Sequence, residues 1–218
     1  MDISRKDIIS RFPWINKKDQ YFIISADYDG LICASFLHHH LNWELVGYYN
    51  LENLWLSNTA VDNRSDLIWV DLNILPEQGR TIGGHIVSIN EEIPKGFKSS
   101  CNLNVLLNLN ASNFNQKFPF STVLLLMWLH NIYPPNELIA KLLVLHADCV
   151  WIKYQYYIEN VDFWKTTLQD YGWDKIFKGV NSKTFEKRID QILYPRLKEV
   201  GAISSKSKLV SQYLKIKS

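Results

Sequence analysis

The seven residues QYFIISA, 20–26, constrain the fold more than any other stretch of the chain. They are apolar, β-branched and aromatic, too few for an ordinary helix, and they stop at the turn DYDG, 27–30. Such a run predicts a strand buried on both faces. The residues that follow, LICASFLHHHLNW, have helical spacing, with Leu31, Ala34, Leu37 and Leu41 on one face. A doubly buried strand running straight into a helix belongs to a parallel sheet covered by helices.

The alternation continues. LVGYYN (45–50) predicts a second strand, and DLIWVDL (66–72) a third, which again ends in a carboxylate, Asp71. HIVSI (85–89) and LNVLLNL (103–109) read as the fourth and fifth strands. From FSTVLLLMWLHNI (120–132) onward the pattern is helical; Pro134 and Pro135 interrupt it before NELIAKLLVLHADCVW (136–151) resumes it. The expected fold class is α/β, a mostly parallel sheet flanked by helices, with a helical C-terminal portion. Near residue 150 the helices change from apolar to aromatic and polar, and we divide the chain into a main domain over 1–165 and a helical, basic extension over 166–218. In such folds ligands sit beyond the carboxyl ends of the strands, which is where Asp27, Asp29 and Asp71 fall.

With 47% hydrophobic and 13% aromatic content over 218 residues, the chain can bury a sizeable core. Its longest apolar stretches, such as STVLLLMWL at 121–129, fall short of the roughly 20 residues that cross a bilayer, and MDISRKDIISRFPW at the N-terminus has no apolar signal core. A cytoplasmic location without membrane contact is therefore expected. Cys33, Cys101 and Cys149 are odd in number and set among apolar neighbours, as reduced core thiols would be. A net charge of +2 is too small to imply nucleic acid, but nine Lys or Arg stand against three acids between Lys183 and Lys217, a candidate basic surface.

Carboxylates buried together need a proton, a hydrogen-bond donor or a cation. Three converging acids favour a metal; oxygen donors suit Mg²⁺ or Mn²⁺, and an added imidazole tilts the choice towards Mn²⁺. Two such ions about 3.5–4 Å apart form the usual clamp for phosphodiester hydrolysis. Taken singly, Asp27 or Asp29 reads equally well as a helix N-cap. Three consecutive histidines, His38-His39-His40, point about 100° apart on a helix and cannot easily share one ion. His146 reads as a core or supporting residue.

SADYDGLICASFL, 25–37, resembles the first motif of the DHH phosphoesterase superfamily, and IWVDLN, 68–73, resembles the second. GGHIVSIN, 83–90, lies where the Asp-His-His motif should follow, and LHADCVW, 145–151, is similar to the fourth; NLNASNFNQKFPFSTVLLLMWL, 108–129, is similar to the segment between them. The resemblance spans roughly 20–165. It implies a DHH-type domain with a Mn²⁺ (or Mg²⁺) centre held by Asp27, Asp29, Asp71 and Asp148, with His85 as a fifth ligand. It also implies catalysis by Asp27, Asp29, Asp71 and His85, and hydrolysis of a phosphodiester in nucleic acid or a small nucleotide. The chain departs from the pattern in two places: Ile23 and Ser25 stand where a further ligand is common, and Gly83-Gly84-His85 stands in place of Asp-His-His, with Asn90 and Glu91 as alternative alignments. Arg80 is the residue expected to neutralise phosphate.

No Gly-rich substrate-binding motif follows residue 150. Substrate grip is then expected from the basic C-terminal segment, from the aromatics of WIKYQYYIENVDFW (151–164) stacking single-stranded bases, or from a protein partner. The favoured reading is that Trp151, Tyr154, Tyr157 and Trp164 pack a helix onto the core and that Lys183 to Lys217 is an ordinary solvated helical face. Two further functions stay open. One is a degenerate DHH-fold protein serving as a nucleic-acid-binding or scaffolding subunit of a complex. The other is an aspartyl-nucleophile phosphatase with Asp27 attacking; Leu31 after the turn and the lack of paired downstream acids count against it.

Overall fold

The computed structural model describes residues 3–72, 80–89, 95–181 and 183–199. Six strands form one sheet: β1 (Tyr21–Ser25), β2 (Glu44–Tyr49), β3 (Leu54–Leu56), β4 (Ile68–Val70), β5 (Arg80–Gly83) and β6 (Ser100–Asn102). Their order across the sheet is β3-β2-β1-β4-β5-β6. All neighbours are parallel except β2 and β3. From β1 the chain moves outward to β2 and β3, then crosses back to place β4 on the other side of β1. The order in which strands are added therefore reverses between β1 and β4, the topological switch point at which open α/β sheets take their ligands.

The helices are α1 (Arg5–Arg11), α2 (Tyr28–Leu41), α3 (Asn58–Asp62), α4 (Leu103–Leu106), α5 (Thr122–His130), α6 (Leu138–His146), α7 (Val150–Tyr156), α8 (Ile158–Thr167), α9 (Trp173–Phe177), α10 (Phe185–Arg188) and α11 (Tyr194–Glu199). Alternation along β1 explains why its central residues are buried on both faces. Phe22 and Ile24 enter the main core, whereas Ile23 joins a smaller cluster on the opposite face with Val46, Ala60, Leu67 and Leu72. Every residue of α5 from Thr122 to Leu129 is buried, so this helix forms the centre of the main core. Leu168, Tyr171, Trp173, Ile176, Phe177, Phe185, Ile189 and Leu193 belong to the same apolar cluster as Val161 and Trp164; the core continues across residue 165 without a break. Among the described residues no helix is long and apolar enough to cross a membrane.

Two strand expectations need correction. In place of a strand at 85–89 the chain forms β5 at Arg80–Gly83, and 85–89 is a half-exposed loop with a single bridge from Ser88 to Asn110. In place of a strand at 103–109 the chain forms β6 at Ser100–Asn102: the Asn102 side chain accepts from Asn104 N (3.0 Å) and Val105 N (3.4 Å), ending the strand and starting α4 at the head of the apolar run. β3, a short edge strand antiparallel to β2, has no counterpart among the expected strands.

Candidate metal centre

Each acid reaches the switch point by a different local device. Asp27 is the N-cap of α2, its Oδ1 accepting from Gly30 N (2.9 Å). Gly30 is needed there, because a Cβ at that position would lie 2.2 Å from Ser25 O, so only glycine lets α2 start this close to the end of β1. Asp29, one residue into the first turn, turns inward to the N-terminus of α5 and accepts from Thr122 N (2.5 Å) and Val123 N (3.1 Å), with Cys33 Sγ 3.7 Å away. Asp71 directly follows β4 with φ 60, a left-handed conformation that aspartate tolerates better than most residues. Asp148 lies at the kink between α6 and α7, where both it (φ 50) and Cys149 (φ 55) are left-handed. Backbone strain of this kind concentrates at functional sites.

His85 closes the group. Its Nε2 is 2.5 Å from Asp71 Oδ1 and 3.3 Å from Asp148 Oδ2. Asp71 also accepts from Thr122 Oγ1 (2.7 Å) and Ser25 Oγ (2.6 Å). One ligand atom from each of Asp29, Asp71, His85 and Asp148 lies within 4.8 Å of the others. Asp27 is outside this foursome, though Ser25 Oγ joins it to Asp71, lying 2.8 Å from Asp27 Oδ1.

The electrostatics follow from crowding in a buried place. Burial and the charges of Asp71, Asp148 and Asp27 hold the Asp29 carboxyl well above its usual range, despite the helix N–H groups that it accepts. Burial and Asp71 push Asp27 up to about 7. Burial acts on Asp71 in the same direction, but the hydrogen bond and charge of His85, with Ser25 and Thr122, bring it below the ordinary value. His85 in turn, though burial opposes its charge, is raised to about 9 by Asp71 and Asp148. Asp148 is raised by burial and by Asp71 against the pull of His85, Lys153 and Lys117. A hydroxyl has only one proton to donate, so Ser25 serves both carboxylates only when Asp27 is protonated and donates in return.

The other sequence candidates lie elsewhere. Arg80 opens β5, in register with Ile68 at the amino ends of the strands, and pairs with Asp66 (3.5 Å) and Gln20 (3.4 Å); its expected role at phosphate is corrected, because parallel strands put it at the end opposite the acids. Lys117 and Lys153, which the sequence reading did not single out, are the cations that act on Asp148. His38 Nδ1 faces Trp43 O (3.2 Å), and His146 packs edge-on against Tyr28 and Tyr194. Trp151 and Trp164 are core residues, and Tyr157 is exposed. Asn90, Glu91 and residues 200–217 of the basic segment lie outside the described residues.

Ser25, Thr122 and Asn104 are the supporting residues that the sequence did not reveal. Asn104, fully buried, donates to Gly84 O (2.7 Å) and Ile86 O (3.1 Å) and accepts from Phe118 N (2.7 Å), so it holds both neighbours of His85. Compared with protein-family models, curated proteins and solved structures, the chain matches none.

Proposed function

We propose that the protein is a cytoplasmic, divalent-metal-dependent phosphodiesterase of the DHH type, acting on nucleic acid or a small nucleotide. The observation that carries this reading is the convergence of three buried carboxylates and one imidazole, within 4.8 Å, at the switch point of a parallel sheet. Three ionised carboxylates around a neutral, ligating imidazole would carry −3 in a buried site, which one divalent ion reduces to −1. Donors about 2.1 Å from an ion lie at most about 4.2 Å apart, so the four atoms need only contract slightly around it. Three oxygens and a nitrogen suit Mn²⁺ better than Mg²⁺.

A divalent ion held here supplies charge stabilisation to phosphate oxygens and acidifies a bound water. The protein's own residues set the geometry. Thr122 and Ser25 fix the Asp71 carboxylate, the N-terminus of α5 fixes Asp29, and Asn104 fixes the loop that carries His85. His85 must give up the proton that it shares with Asp71 before its Nε2 can serve as a ligand. Lys117 and Lys153 supply positive charge beside Asp148 for a phosphate.

A second reading has its own support. Both oxygens of Asp29 already accept from α5, and His85 already balances Asp71, so the centre also suits a structural lock in a nucleic-acid-binding or scaffolding subunit. Calorimetric titration of metal-stripped protein with Mn²⁺ separates the two. The hydrolase reading expects micromolar binding that is lost in Asp71→Asn, together with Mn²⁺-dependent hydrolysis of bis(p-nitrophenyl) phosphate; absence of binding leaves the structural lock.

A further inference from the structure

An open cleft of about 430 Å³ lies where the turn at 111–116 meets the junction of α7 and α8, within the size range of ligand sites, about 300–1,000 Å³. Its walls combine the rings of Tyr156, Tyr157 and Phe163 with the amides of Asn115, Gln116 and Asn160, and one carboxylate, Glu159. The rings are turned outward: Tyr156 is 76% exposed and Tyr157 63%, and nearby Phe114 is 57% exposed. Asn160 donates from Nδ2 to Lys117 O (2.8 Å), while its Oδ1 is enclosed without a hydrogen-bond partner.

Two lysines join the cleft to the acid centre. Lys117 directly follows the lining residue Gln116, and its Nζ lies 5.7 Å from the Phe114 ring centroid. Lys153 is one helical turn before Tyr157, whose N–H donates to Lys153 O (2.9 Å). Both bear on Asp148, and among the described residues neither is ion-paired with a carboxylate. Exposed rings that accept any base, amides that meet base edges, and unpaired cations that meet phosphates make up a single-strand surface; the apolar centre of a protein-docking site is charge-poor by comparison.

We propose that this cleft binds the bases of a single-stranded nucleic acid whose backbone runs over Lys117 and Lys153 towards the acid centre. The direction of the strand rests on the hydrolase reading, but binding itself requires no metal. The test is fluorescence anisotropy with fluorescein-labelled oligothymidine and its duplex with oligoadenosine, on full-length protein in EDTA. The single strand is expected to bind more tightly than the duplex. Tyr156→Ala/Tyr157→Ala should weaken it about ten-fold or more without altering the salt dependence. Lys117→Gln/Lys153→Gln should weaken it and flatten the slope of log K against log salt by about 1.4. The tyrosines are exposed, so an unchanged unfolding midpoint verifies the fold of that variant. No oligonucleotide binding, equal binding of the duplex, or undiminished binding by the tyrosine variant would overturn the proposal. Retained oligonucleotide binding without Mn²⁺ binding would remove only the hydrolase reading, and the reverse result only the cleft.

Discussion

At the scale of single residues, the centre is a problem in proton placement. His85 is protonated in the metal-free fold at neutral pH because Asp71 and Asp148 outweigh the cost of its burial. Its folded pKa of about 9 lies above the ordinary imidazole value of 6.5, so its stabilisation is complete below pH 6.5 and is lost as pH rises through about 9. Asp27, raised from 3.8 to about 7, works in the same direction: the native state holds a proton that the unfolded chain releases, and this contribution disappears as pH rises through about 7. Between pH 6 and 9 the metal-free protein should lose about 5–10 °C in Tm. The gain in Tm on adding Mn²⁺ should grow over the same interval, because the ion requires the deprotonated ligands. Thermal melts with EDTA or Mn²⁺ across that range check both signs; a Tm that rises with pH in EDTA would contradict them.

At the scale of elements, the centre depends on how short pieces of chain are tied together. Asn104 spans from α4 to the His85 loop and to Phe118 through three hydrogen bonds. Asn104→Leu leaves those backbone groups buried and unpaired, at about 1–3 kcal/mol each. It should cost about 3 kcal/mol or more in urea denaturation, and lower Mn²⁺ affinity by about 10-fold or more through the displaced His85.

The same elements show what could be read in advance. β1, β2 and β4 were legible because each is an apolar, β-branched run, and Asp27, Asp29 and Asp71 could be placed because they end such runs. β5, RTIG, was not, since its burial comes from neighbouring strands rather than from its own apolar pattern. β6 was displaced in the reading because Asn102 caps a helix at the head of an apolar stretch. The long-range roles of Ser25, Thr122 and Asn104 left no local signal: Asp71 is 46 residues from Ser25 and 51 from Thr122, and Gly84, Ile86 and Phe118 are 20, 18 and 14 residues from Asn104. Arg80 was misplaced because proximity in sequence to His85 says nothing about which end of a parallel strand a residue occupies.

At the scale of the whole molecule, the sheet and the later helices share one core. Trp164 and Leu168, on either side of residue 165, are both fully buried, and Leu193 is buried with them. A chain ending at residue 165 strips this apolar cover from α5 and α6. It should lose cooperative unfolding and the near-ultraviolet circular dichroism of its packed tryptophans, whereas a separable domain would keep both. The kink at Asp148 and Cys149 has a consequence at this scale as well. Without it α6 and α7 would run on as one rod; with it, the chain turns at the acid centre and sets off again towards the aromatic cleft. Seven residues of helix, about 10 Å, then fix the interval between the two. Under the proposed function such a spacer would measure length: a substrate would have to be at least that long to touch both ends at once, which would favour extended chains over compact esters.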